Sequence, residues 1–364
     1  MEFGLAEEQV LLQDSVSRFL SEQFPLERVR QFAAGDDDGS SARTGLNELG
    51  IPALMIPEEF GGVDLGLLDA ALVSEALGYG VAPAPFTAST VMVPQAIRLG
   101  GSAELRERYL PKLASGSITA AAAVAELTGA RLDAAVSASK TDANNPTILN
   151  GRTLFALDFA ADLYLVADNQ GNLHLVERDA NGLETDKLAG IDATRDVGEL
   201  RFNNTPAASL SCTPDQVTSV IDSGRIVLAA DTLGAAQNML DQAVAYALQR
   251  EQFNRVIASF QAVKHMCAEM AAALEPCRAM VWYAAYAHDA KLPEARQYAC
   301  LTKAHLSEVG QFVARTATEV HGGMGFTDLV GLHYWFKRIG ANRQYLGSPE
   351  RLREEAARDQ RLIA

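Results

Sequence analysis

Positive charge is scarce in this chain. Lys and Arg number 31 against 46 Asp and Glu, a net charge of −15. That deficit argues against a nucleic-acid partner, which needs a basic face. A local cluster of arginines would still serve a small anion. Cysteine is also rare: Cys212, Cys267, Cys277 and Cys300 show no CxxC spacing. Three of them fall in helical patterns, where a free thiol behaves as a small apolar residue. Missing too are a run apolar enough to span a bilayer and, in residues 1–8, the basic and apolar regions of a signal peptide. We therefore expect a cytoplasmic protein with reduced thiols. His265, His288, His305 and His333 lack metal-ligand spacing, and no repeat or low-complexity tract occurs.

What is present has ordinary globular composition, 48% hydrophobic and 21% charged. Periodicity divides it into three regions, expected at 1–116, 117–210 and 211–364. The first reads as helices over 7–20, 41–49 (Ser40 or Ser41 as N-cap), 68–77, 89–99 (with Pro94 inside) and 103–113, with a breaker-rich turn at 56–62. The second changes to short β-rich segments such as 163–166 and 173–176. Residues 168–172 form a hairpin loop, and Asn150-Gly151 and Asn181-Gly182 read as turns. The third is helical over 219–249, from about 259 with an interruption at Pro276, and over 294–320, with two shorter helices after it. Ala229, Ala230, Gly234, Ala235 and Ala236 would let helices approach closely. The fold class is α+β multidomain: a helical domain, a small antiparallel β-domain and a four-helix bundle.

The segment 250–265 joins two of these helices and places Arg250, Phe253 and Gln261 around a tight turn. A guanidinium there suits a phosphate, since its planar fork bonds two oxygens at once. Phe253 offers a flat apolar face, and Gln261 a donor and an acceptor. The plain alternative is a polar connection between helices.

Taken in order, Pro57-Glu-Glu-Phe-Gly-Gly62, Ala82-Pro-Ala-Pro-Phe86, Leu149-Asn-Gly151, Asp192-Ala-Thr-Arg195, Arg250-x-x-Phe253 with Phe260-Gln261, and His321-Gly-Gly-Met-Gly-Phe326 resemble signatures of the acyl-CoA dehydrogenases. That resemblance implies α,β-desaturation of an acyl-CoA thioester, with a glutamate taking the α-proton and FAD the hydride. It implies electron-transfer flavoprotein as the acceptor. It also implies an FAD shared between subunits, with Arg250, Phe253, Gln261, Gly322, Gly323 and Gly325 reaching a neighbour's flavin. The plainer alternative for the glycine turn is a helix C-cap, and one turn can serve as both.

The departures from the family pattern are specific. The Thr-Glu-Pro-Gly-x-Gly-Ser-Asp loop is replaced by 125–133, and a flavin-covering Trp-Ile-Thr segment by 155–158. The two family positions for the glutamate match Leu346 and Gly224, and neither side chain can take a proton. A family glutamine before the glycine turn matches Glu319. The pattern resembles the degenerate subunit of the α2β2 steroid side-chain enzymes, whose partner carries the glutamate. The resemblance thus implies a homologous partner subunit and, by analogy, a bulky steroid acyl-CoA. Two other readings remain open at this point: a scaffold without FAD contact, and a self-sufficient homotetramer with Asp158 or Asp231 as base. Surface or capping roles are the plainer expectation for those two aspartates.

Overall fold

The computed structural model describes residues 4–129, 134–140 and 146–363. The N-terminal region contains α1 (Glu7–Gln23), α2 (Leu26–Ala34), α3 (Ser40–Glu48), α4 (Leu67–Tyr79), α5 (Val93–Gly100) and α6 (Ala103–Ala114). Helix α3 does start at Ser40, but its cap is the preceding Gly39, in the left-handed region. The Asp38 carboxylate accepts the Ser40 N–H at 2.9 Å, so acid chemistry just outside the helix does the work expected of Ser40. The expected 89–99 helix is a π-helical turn, Thr87–Met92, running without a break into α5, and Pro94, the second residue of α5, sits directly after that wide turn.

Next come β1 (Ala120–Ala123), α7 (Ala125–Thr128), β2 (Ala135–Ser139), β3 (Thr147–Leu157), β4 (Leu163–Ala167), β5 (Leu173–Glu177), β6 (Leu183–Lys187) and β7 (Val197–Ser209). Among the described residues they form a seven-stranded sheet, ordered β2-β3-β1-β4-β5-β7-β6, with β3 also paired to β7. Most pairs are antiparallel, but β1 and β4 run parallel, from Ala120↔Leu163 to Ala123↔Val166. The 168–172 loop closes the β4–β5 hairpin as expected, with Asp168 Oδ1 accepting the N–H groups of Gln170 and Asn172. Asn150-Gly151 is not a turn: it lies inside β3, where the register with β7 slips between Leu149 and Gly151. A glycine in a strand can mark such a bulge.

The C-terminal region has α8 (Pro214–Gln249), the two-residue strands β8 (Glu251–Gln252) and β9 (Arg255–Val256), α9 (Gln261–Asp289), α10 (Ala295–His321), α11 (Leu332–Gln344) and α12 (Pro349–Asp359). A capping box starts α8: Thr213 Oγ1 accepts from Gln216 N, and Gln216 Oε1 from Thr213 N. Helix α9 runs through Pro276 without a break. Pro276 and Ala272, whose carbonyl loses its partner, are both exposed, so water can serve the orphaned oxygen. The small residues of α8 act as expected. A Cβ on Gly234 would stand 1.8 Å from Glu75 O, and one on Gly78 would stand 2.0 Å from Asp231 O. Helices α4 and α8 thus touch backbone to backbone. One core cluster joins α1, α4, α8, α9, α10 and α11, and a second joins α5, α6, the start of α8 and one face of the sheet.

Candidate functional site

Two of the motifs found in the sequence meet at one end of the bundle. Arg250 ends α8, its N–H donating to Tyr246 O at 2.8 Å. The next residues form the β8–β9 hairpin, pairing Glu251 with Val256 and Gln252 with Arg255. Its two central residues, Phe253 and Asn254, have φ of 54° and 60°, the left-handed pair that such a tight hairpin demands. Asparagine tolerates this conformation, whereas a phenylalanine there is a real outlier. The Phe253 ring is 88% exposed, held edge-on to Phe260 at 6.1 Å. Arg255, which the sequence analysis did not single out, lies 3.9 Å over the Phe260 ring. Gln261 is the exposed first residue of α9, with Nε2 2.9 Å from His265 Nε2. The Arg250 guanidinium has no partner among the described residues.

Helix α10 ends beside this hairpin. His321, its last residue, stacks on Tyr246 at 4.5 Å. Burial holds the His321 pKa below its ordinary value, and Nδ1–H donates to Ala317 O at 2.8 Å. Gly322 follows with φ 57° and ψ −138°, a conformation reserved for glycine. Gly322 and Gly323 are exposed, and nothing lies within 4 Å of where their Cβ atoms would be. Gly325 differs: it is buried, and a Cβ there would meet Thr318 O at 2.7 Å, so it packs the turn onto α10. Glu319 is exposed, and its carbonyl accepts the Gly322 N–H. Phe326 and Leu329, 83% and 78% exposed, extend the apolar surface of this end.

The two positions matched to a glutamate lie side by side in the interior. Leu346, in the link between α11 and α12, is 5% exposed with φ 57°. A Cβ at Gly224 on α8 would come 2.7 Å from Leu346 Cδ1 and 2.6 Å from Met92 Sδ. Apolar side chains therefore fill the spot. Two buried basic side chains hold the link: Arg225 Nε donates to Leu346 O at 3.0 Å, and Lys303 Nζ to Gly347 O at 3.3 Å and Asn342 O at 2.8 Å. Burial, with Arg225 and Arg343 nearby, pushes the Lys303 pKa down to about 7. Arg225 is itself paired with Asp222 at 2.9 Å and Glu355 at 2.8 Å. Outward from this cluster opens a cavity of 630 Å³, lined by Leu127, Gln170, Val217, Ile221, Arg296 and Arg351 among others.

Both aspartates are engaged by neighbouring groups. The Asp231 carboxylate is 1% exposed and receives Arg338 at 2.6 Å, Arg195 at 2.7 Å and Asn342 at 2.7 Å. Burial raises its pKa, but the two guanidinium charges outweigh that and hold it below the usual range. This corrects the expected surface or capping role: Asp231 is a core ion. Asp158 does cap, with Oδ2 accepting Ala88 N–H at 2.7 Å at the entry to the π-helical turn. Loss of solvent pushes its pKa up to about 6.

On the β-domain, the 125–133 segment begins as the short helix α7, with Leu127 O accepting from Arg351 at 3.2 Å. Residues 130–133 lie outside the described residues. Phe155 and Asp158, in the segment matched to the flavin cover, both have positive φ. Among the described residues no group of three His, Cys, Asp or Glu is placed to hold a metal, and no helix is long and apolar enough to cross a membrane.

The family model "Acyl-CoA dehydrogenase, N-terminal domain" matches residues 6–117, and "Acyl-CoA dehydrogenase, C-terminal domain" matches 215–360. The chain is 30% identical over 345 residues to acyl-CoA dehydrogenase IpdE2 of Mycobacterium tuberculosis, covering 94% of each chain. The structure of the ChsE4-ChsE5 complex from M. tuberculosis superposes with a TM-score of 0.91 at 25% identity, over 100% of both chains. A variant of the steroid enzyme Tcur3481-Tcur3483 gives 0.87 at 26% identity, over 98% of each.

Proposed function

This chain belongs to the acyl-CoA dehydrogenase family, and on that footing we propose that it is the non-catalytic subunit of a heteromeric acyl-CoA dehydrogenase. The observation that carries the reading is the apolar contact of Leu346 with Gly224, where the family's proton-abstracting glutamate would stand. α-Proton removal next to a thioester needs a positioned carboxylate. The aspartates weighed as substitutes are engaged elsewhere, Asp231 by two arginines and Asp158 by a backbone N–H.

FAD is the family's cofactor and, when bound, accepts the hydride from the substrate β-carbon. The residues present suit the nucleotide half of it. The unpartnered Arg250 guanidinium would pair with the pyrophosphate. Gln261 would hydrogen-bond the same region, Phe253 would cover the adenine, and Gly322 and Gly323 would let backbone approach closely. All of these are exposed on this chain, which suits a flavin held by a neighbouring subunit. Gly325 shapes the turn. Asp158, turned inward to Ala88, leaves less on this chain's own β-domain for an isoalloxazine.

The partner is then a homologous subunit with an intact glutamate and flavin loop, as an α2β2 assembly. Its substrate is an acyl-CoA, with a steroid side-chain ester suggested by the steroid enzyme above, and electron-transfer flavoprotein is the acceptor. The test is co-purification with candidate partners. The expected result is a colourless, inactive chain alone and a yellow, active complex with one flavin per two chains. A yellow, active protein from this chain alone would overturn the proposal. Arg250→Ala in the complex should lower bound FAD, and unchanged FAD would leave only a scaffold.

A further inference from the structure

A second cavity shares no lining residue with the first. It measures 300 Å³ and sits between α3, the 84–90 segment and the residues that lead into β1 and β4. Ile118 and Thr119 precede β1, and Asp162 precedes β4, its parallel neighbour. The family's flavin loop matches the segment after the opposite end of β1. Four residues of strand, about 13 Å, separate the two ends.

The lining is mostly apolar, with Leu46, Ile51, Pro52, Phe86 and Ile118 around a few polar groups. Arg43 is the only cation among these lining residues. Its guanidinium has no hydrogen-bond or ion-pair partner among the described residues. Asp38, whose carboxylate its charge reaches, already accepts the Ser40 N–H at 2.9 Å. Thr90 is 4% exposed, and its hydroxyl also lacks a partner among the described residues. Ser89 Oγ accepts from Ala120 N at 3.0 Å, which leaves its proton free to donate. A half-buried guanidinium with spare hydroxyls in an apolar cavity is the chemistry of a carboxylate site. Asp162 also lines the space, bonded to Thr119 N at 2.9 Å, and it disfavours a second negative charge on the ligand.

We propose that this cavity binds a small organic monocarboxylate with an apolar body, held by Arg43. The site is independent of the subunit reading above. The test is calorimetric titration of the assembled protein with hexanoate, hexanol and acetate. Hexanoate should bind at least about tenfold more tightly than hexanol, which lacks the charge, as one charge-assisted hydrogen-bonded pair implies. Acetate, lacking the apolar body, should bind more weakly than hexanoate. Arg43→Gln should bring hexanoate down to the level of hexanol without lowering Tm, and Arg43→Lys should retain part of the preference. Thr90→Phe, which fills the cavity, should abolish both. No binding of hexanoate, equal affinity for hexanol, or hexanoate binding unchanged in Arg43→Gln would each overturn the proposal.

Discussion

Leu346 and Gly224 share one small volume: the leucine tip occupies the space that a side chain on the glycine would need. In the sequence they are two separate positions, each matched by resemblance to the family's glutamate. In the structure they are one apolar contact between α8 and the α11–α12 link, with Met92 as third member.

Because of that contact, substitutions at the two sites should be coupled. Gly224→Ala should cost about 1–3 kcal/mol through overpacking. Leu346→Ala should cost about 2–5 kcal/mol through the cavity it leaves. The double variant should be more stable than the sum predicts, by about 0.5–3 kcal/mol in denaturant titrations. Strict additivity would mean that the two side chains do not compete for space.

Phe253 should separate stability from cofactor retention. Its left-handed backbone costs roughly 1–2 kcal/mol that glycine would not incur, and its ring is solvent-exposed. Phe253→Gly is therefore expected to match or exceed the parent in Tm, while the complex holds less FAD. A lower Tm with unchanged flavin would show that the ring serves only the hairpin.

The two aspartates should respond very differently to amidation. Asp231→Asn leaves Arg195 and Arg338 buried without their counter-charge, a loss of about 3–5 kcal/mol. Asp158→Asn keeps an oxygen that can accept from Ala88 N–H, and should cost much less. Both variants should leave the activity of correctly assembled complex near that of the parent. A complete loss of turnover with unchanged Tm in either would revive it as a base.

Lys303 sets a pH dependence of known sign. Its folded pKa of about 7 lies below its ordinary value, so between there and 10.5 the unfolded chain binds the extra proton. Stability should therefore rise with pH through this window and fall as pH drops toward 7. The charged or titratable groups acting on it are Arg225, Arg343 and Cys300. The rise attributable to this amine is roughly 3–5 kcal/mol. Lys303→Met should flatten the profile in chemical denaturation from pH 7 to 10. A slope equal to that of the parent would show that other groups cause it.

The helices and the order of the three regions were legible because their apolar periods are long and uninterrupted, as in 219–249. Local errors arose where tertiary context outvoted a residue's habit. Asn150-Gly151 bulges within a strand because β2 and β7 pair with β3 on either side of it. Pro276 sits in an unbroken helix because its missing hydrogen bond faces water. The β1–β4 parallel pair joins segments that are far apart, and no local pattern signals it. In the candidate site, Arg250, Phe253 and Gln261 were visible as types in a tight turn. The packing role of Gly325, the position of Arg255 over Phe260, and the Tyr246–His321 stack depend on distances that spacing does not carry.

Asp231 accepts from Arg195, which follows β6, and from Arg338 of α11, while Arg338 also donates to Ala82 O at 2.8 Å, beyond α4. One carboxylate thus ties together all three regions that periodicity marks out. Loosening the β-region would take one of the two buried counter-charges from Asp231, and loosening the N-terminal region would take a carbonyl acceptor from Arg338. Heating should therefore melt the chain in a single calorimetric transition, although its sequence reads as three separable units.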